Sequence, residues 1–283
     1  MPETESTEAP AAGESGGENR RFLISLARAF GGAIIFALPL MMTMEMWQLG
    51  FYVSPYRVAL FLIIIIPVLI ALSHYGGFEP TFSLRRDAVD AFVALAVGFV
   101  AAIASLLLLN IIDFEMPFDE VIGKVSLQAI PGSIGAMLAQ DQLGERNEEK
   151  KARAGYGGQL FLMAAGALFL SFNVAPTEEM VLLAYMMTEW HAIALALASL
   201  VIMHAFVYAI EFRGQAAVPE SASFWSVFFC FTVAGYAIAL LIALYVLWTF
   251  GRADDTALGP IVQMTVVLGF PAAIGAAAAR LIL

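Results

Sequence analysis

Thr43-Met44-Glu45-Met46 and Thr177-Glu178-Glu179-Met180 decide how this chain is read, because each lies in or beside an apolar run of membrane length. An offset of 134 positions carries Thr43 onto Thr177, Glu45 onto Glu179, Met46 onto Met180, Leu49 onto Leu183 and Phe78 onto Phe212. After a small insertion the offset becomes 140, and Pro131-Gly132-Ser133-Ile134-Gly135-Ala136 falls on Pro271-Ala272-Ala273-Ile274-Gly275-Ala276. Two motifs in the same order point to one four-span unit duplicated in tandem. Four spans return the chain to the side it entered from, so the two copies point the same way, related by an axis along the membrane normal.

Composition sets the class. A mean hydropathy of +0.83, with 61% hydrophobic and 13% charged residues over 283 positions, excludes a soluble domain. A helix needs roughly 20 apolar residues to cross a hydrocarbon core about 30 Å thick. Runs of that kind fall at 25–49, 56–74, 88–112, 119–139, 158–175, 190–211, 224–250 and 257–281. They are continuous, without the alternation of an outer-membrane strand, which excludes a barrel. The expected fold is therefore all-α and polytopic, with eight transmembrane helices arranged as two parallel four-helix repeats. Residues 1–20 read as a disordered acidic tail, 21–141 as the first repeat, 142–156 as a charged cytoplasmic linker and 157–283 as the second repeat. The tail carries Glu3, Glu5, Glu8, Glu14 and Glu18 and no base before Arg20, unlike a signal peptide, so the first span is expected to act as its own insertion signal. The single cysteine, Cys230, excludes a disulfide within the chain and a thiolate metal cluster.

Orientation follows from the basic residues, which cytoplasmic loops retain. One side receives Arg20, Arg21, Arg28, Arg85, Arg86, Arg146, Lys150, Lys151, Arg153, Arg213 and Arg280, eleven of the fourteen; the other receives Arg57, Lys124 and Arg252. Both termini are expected to be cytoplasmic, which an even number of spans satisfies. The outer side then holds ten carboxylates against three bases: Glu45, Asp113, Glu115, Asp119, Glu120, Glu178, Glu179, Glu189, Asp254 and Asp255. A concave surface of one sign gathers counter-ions, so Asp113, Glu115, Asp119, Glu120 and Glu189 read as an outer acidic funnel. The plainer reading is that such loops are acidic because bases are kept inside.

Glu45 and Glu179 are the candidate ion-binding and metal-ligating residues, with Glu178, Thr43, Thr177 and Asn173 beside them. Glu45 follows Arg28 by seventeen residues, about 25 Å of helix at about 1.5 Å per residue, near the outer end of the first span. An ionisable group there needs water, a partner or an ion; the structural alternative is an interfacial Glu beside Trp47 that reaches up to water. Ala175-Pro176-Thr177 resembles a helix start with acids where the dipole favours them, which by itself explains Glu178 and Glu179 as capping groups. The apolar run before Pro176 is short, however, and Met180–Met187 is too short to span. The chain is therefore expected to break at Pro176 within the outer leaflet, as helices that line a cavity do. Asn173 lies one turn before Thr177.

Carboxylates and hydroxyls without cysteine form a hard oxygen site that suits Ca²⁺, Mg²⁺ or protons and not Zn²⁺ or Cu⁺; Ca²⁺ is favoured because it tolerates irregular coordination. Two facing carboxylates sharing a proton would instead make a proton acceptor. His204, within span six, is a candidate proton relay, though an intramembrane imidazole more often bonds a neighbouring helix. The Pro-x-x-x-Gly segments of spans four and eight read as packing surfaces, with an inner gate as the secondary reading. No phosphate-binding glycine loop, His-Glu-x-x-His, nucleophile elbow or Arg-rich voltage-sensor helix is present.

Through its repeated Thr-x-Glu-Met pattern and Phe172-Asn173-Val174-Ala175-Pro176-Thr177-Glu178-Glu179-Met180, the chain resembles a bacterial family of integral membrane proteins of unknown function. The resemblance covers most of the chain after residue 20 and implies a bacterial inner-membrane location; it assigns no site residue. The leading expectation is a cation channel or secondary transporter. The alternatives are a non-transporting sensor or assembly protein, a proton-coupled transporter, and, least supported, a membrane-embedded enzyme that uses an outer carboxylate pair as acid and base. The expected partners are the lipid bilayer and inorganic cations, with a homo-oligomer left open; no nucleic acid and no cofactor beyond bound Ca²⁺ are expected.

Overall fold

The computed structural model describes residues 12–76, 83–143, 155–208 and 224–282. Phe78, Phe212 and most of the charged linker lie outside the described residues. Ten helices follow one another through those segments: α1 (Ala12–Met41), α2 (Met44–Tyr52), α3 (Pro55–Gly76), α4 (Leu84–Leu108), α5 (Phe118–Leu143), α6 (Tyr156–Val174), α7 (Glu178–Met186), α8 (Glu189–Tyr208), α9 (Phe224–Thr249) and α10 (Leu258–Ile282). No strand occurs among the described residues. Within α9 the stretch Phe228–Val233 winds as a π-helix. Among the described residues eight helices are long and apolar enough to cross a membrane. The other two, α2 and α7, have nine residues each, about 13 Å of helix, too short to span.

α1 begins at Ala12, inside the segment read as a tail, because lengthening an existing helix avoids the cost of a new nucleus. The expected first span, 25–49, divides. α1 stops at Met41, Thr43 is extended at φ −102 and ψ 128, and residues 44–49 belong to α2. A break was expected at Pro176 alone. There α6 ends at Val174, Thr177 is extended at φ −72 and ψ 141, and α7 follows.

Close backbone approach organises the bundle. α1 and α4 pack on α5, while α6, α8 and α9 pack on α10. A Cβ on Gly32 would fall 2.5 Å from the Gly135 carbonyl oxygen, and one on Gly135 would fall 2.7 Å from that of Gly32. Gly166 and Gly275 stand in the same relation, at 2.1 and 2.3 Å. Lipid tails are as apolar as leucine, so this intimacy, not hydrophobic burial, holds spans together. The Pro-x-x-x-Gly segments are thus packing surfaces: Ala136, Ala272 and Ala276 are fully buried. Among the described spans α5 is the most enclosed and α8 the least, and α5 forms the post on which α1 to α4 pack. Aromatic contacts join the two groups of helices, with ring centroids 5.1 Å apart for Phe36–Phe169, 5.2 Å for Phe61–Phe172 and 5.6 Å for Phe61–Tyr245.

Candidate functional site

The two breaks share their hydrogen bonds as well as their sequence. Thr43 donates from its hydroxyl to the Leu40 carbonyl at 2.8 Å and from its backbone N–H to the same oxygen at 3.2 Å. Thr177 does likewise to Val174, at 2.8 and 3.1 Å. Both threonines occupy the N-cap position of the short helix, yet neither hydroxyl caps forward; each closes the helix behind it. The expected forward cap at Thr177 is therefore replaced by a backward one. The short helices also end alike, Val53 N–H donating to Leu49 at 3.0 Å and Met187 N–H to Leu183 at 3.1 Å. α2 seats on α5 where Gly50 meets Gly123: a Cβ on Gly123 would lie 2.3 Å from the Gly50 carbonyl oxygen. α7 seats on α10, and Gln263 donates to the Met187 carbonyl at its end.

Glu45 stands in the first turn of α2 and is half-buried; Glu178 and Glu179 stand in the first turn of α7 and are exposed. These are the positions at which the helix dipole stabilises a negative charge. Arg252 takes Glu178, donating at 2.9 Å, and also donates to the Pro176 carbonyl, so Glu178 is tied to the wall of the break. Glu45 and Glu179 form no ion pair among the described residues. They stand on separate seats, α5 and α10, and no cluster of three or more His, Cys, Asp or Glu side chains gathers as a metal cage among the described residues. Asn173 donates from Nδ2 to the Phe169 carbonyl at 2.8 Å, and its Oδ1 is buried without a partner among the described residues.

The funnel residues divide. Glu120 is buried and ion-paired to Lys124 at 2.5 Å, with both side chains 8% exposed. Lys124 also donates to the Ile111 carbonyl at 3.3 Å, which ties the loop before α5 to that helix. Asp113 accepts from the N–H groups of Glu115 and Met116, at 2.8 Å each, and shapes a turn. Glu115, Asp119 and Glu189 are exposed. On the face that carries the breaks, the three bases engage Asp254, Glu120 and Glu178, leaving seven of the ten carboxylates without an ion pair among the described residues.

Sequence reasoning missed the residue that joins the halves across this face. Arg57, at the start of α3, grips Asp254 with two hydrogen bonds of 2.7 and 2.8 Å, donates to the Trp248 carbonyl at 2.9 Å and lies over the Trp248 ring at 4.8 Å. This hydrogen bonding holds the Asp254 carboxyl below the usual carboxylate range. Arg57 had counted only toward orientation, and its partner lies 197 positions away, beyond any local signal. On the opposite face, His74 Nδ1 lies 2.9 Å from Asp87, a fully buried carboxylate, and Ser73 donates to Asp90 at 3.1 Å. His204 Nδ1 lies 2.8 Å from the Thr232 hydroxyl, in the π-helical stretch of α9, with Phe224 and Phe228 edge-on to the imidazole. It thus links α8 to α9.

Eight apolar helices of spanning length define a polytopic α-helical integral membrane protein. The chain belongs to the family described as "Putative integral membrane protein (DUF2391)", whose model matches residues 25–283. No curated protein and no solved structure matches it.

Proposed function

We propose that this protein is a cation pathway, a channel or secondary transporter, in which Glu45 and Glu179 select the ion as it enters from the acidic face. The observation that carries the reading is the pair of helix breaks. Two threonine turns with the same bonds stand 134 positions apart, each presenting a carboxylate in the first turn of a nine-residue helix. Backbone is broken at membrane depth where it lines a cavity or is held by protein, and intramembrane acids mark ion pathways. Seven uncompensated carboxylates on the same face would raise the local cation concentration.

The reading rests on an internal duplication: a first unit of α1 to α5 and a second of α6 to α10, parallel and related by an axis along the membrane normal. The matched glycine crossings, Gly32 with Gly135 and Gly166 with Gly275, support it at the same offsets of 134 and 140. In this reading both termini face the cytoplasm of a bacterium and the breaks face outward. Ca²⁺ is the first ion to test. Because the two carboxylates stand on separate seats, each would hold an ion that keeps much of its water, with Thr43 and Thr177 beside it.

The test is flux. The purified chain is reconstituted in liposomes with a trapped Ca²⁺ indicator and, in parallel, a pH dye, and is compared with the Glu45→Gln/Glu179→Gln double variant. Ca²⁺ entry that the double variant loses is the expected result. A proton signal alone moves the function to proton transport. Silence in both, with a folded protein, rejects transport and leaves a non-transporting membrane protein.

A further inference from the structure

A buried amide in the middle of the most enclosed described span has no partner among the described residues. Gln128 on α5 is 1% exposed, and both its Oε1 and its Nε2 are buried without a hydrogen bond. Such an amide in an apolar bundle is costly unless something satisfies it. Both ends are orphaned, so the argument survives either orientation of the amide: one end must receive a hydrogen bond and the other must give one. A cation can meet only the oxygen, and an anion only the nitrogen. Water meets both.

The register places this group. Gln128 lies two turns, about 10 Å, from Gly135 on the same face of α5, toward the breaks. That face meets α1 at Gly32. Two prolines leave spare acceptors nearby, since Pro131 and Pro39 have no N–H for the carbonyls of Leu127 and Ile35. On the other glycine pair the amide changes helix. Asn173 lies two turns from Gly166 toward the breaks, with its Oδ1 buried and unpartnered among the described residues. The positions two turns out on the partner helices are Pro39 and Leu268, neither of which carries a side-chain hydrogen-bonding group.

We infer that each glycine-crossed helix pair holds buried water beneath its break, bonded by Gln128 in one and by Asn173 in the other. The protein then carries a hydrated layer about one helical turn below the two threonine turns, whether or not ions pass through it. This inference does not rest on the cation reading.

Hydroxyl-radical labelling of the full chain in nanodiscs tests it, because radicals born from a bound water oxidise side chains that bulk solvent does not reach. Met41 at the end of α1 and Met46 on α2 are at most 1% exposed, and so are Met163 and Met203, which pack at Gly235 away from these amides. Met41 and Met46 are expected to be oxidised several-fold faster than Met163 and Met203, with the excess lost in Gln128→Leu and the melting temperature of that variant lowered. Equal and slow oxidation of all four in the wild type, or a raised melting temperature for Gln128→Leu, overturns the inference. So does an anomalous peak at Gln128 in crystals grown with rubidium, which would put a cation where water is assigned. The wild-type labelling decides by itself should the variant not fold.

Discussion

Gly31 and Gly32 are neighbours on α1, and replacing each with alanine should have opposite effects. A Cβ on Gly31 meets nothing within 4 Å; one on Gly32 would fall 2.2 Å from Ala139 Cβ and 2.5 Å from the Gly135 carbonyl oxygen. Both substitutions gain the same helix propensity, about 1 kcal/mol, which cancels in the comparison. What remains is the clash. Ordinary contact begins near 3.4 Å, so α1 and α5 must part by roughly an ångström, and the atom met is backbone that no rotamer change can move. Overpacking of that kind costs about 1–3 kcal/mol, and this case belongs at the upper end. Equilibrium unfolding in mixed micelles should therefore place Gly31→Ala at or above wild-type stability and Gly32→Ala about 2–3 kcal/mol below Gly31→Ala. Gly166→Ala should behave as Gly32→Ala does, since its Cβ would meet the Gly275 carbonyl oxygen at 2.1 Å. Equal stabilities for the two adjacent variants would refute the claim that these crossings hold the bundle.

Lys124→Met alone strands the Glu120 carboxylate in a buried setting and should cost about 3–5 kcal/mol, whereas Lys124→Met with Glu120→Gln should recover much of it; denaturant titration of the single and double variants checks this. Arg57→Ala and Asp254→Asn should show a coupling of about 0.2–1 kcal/mol in a double-mutant cycle, no more, because Asp254 is half exposed. The Asp254 carboxyl is held below its ordinary value, so its stabilising share is complete above that value, about pH 4, and disappears as pH falls through the lower folded one. A melting series from pH 7 to 3 should lose that component in Asp254→Asn, and a profile unchanged by the substitution would contradict the assignment. Thr43→Val and Thr177→Val each remove one hydroxyl bond of 2.8 Å and should cost about 0.5–1.5 kcal/mol apiece, with similar values at the two sites.

The spans were legible because a bilayer imposes a length and an apolarity that composition alone displays. The break at Pro176 was legible through its proline. The break at Thr43 was not, since Met41-Met42-Thr43 contains no residue that forbids a helix, and only the match to Thr177 hinted at it. The carboxylates were found, but their partners were not. Glu178 stood beside Glu179 as a secondary candidate until Arg252, 74 positions on, proved to hold it, and Glu120 looked like a funnel acid until its neighbour one turn away, Lys124, neutralised it. Gln128 was legible only as a polar side chain within a span, because sequence shows that such a group is present and not whether anything meets it.

Ca²⁺ flux into liposomes, measured for Glu45→Gln and Glu179→Gln singly beside Glu115→Gln and Glu189→Gln, tests the central claim most directly. The account predicts that each break substitution cuts flux at every ionic strength, while the two loop substitutions matter only at low salt, where exposed charges still steer. Flux that responds equally to all four, or to none, would contradict a site at the helix breaks.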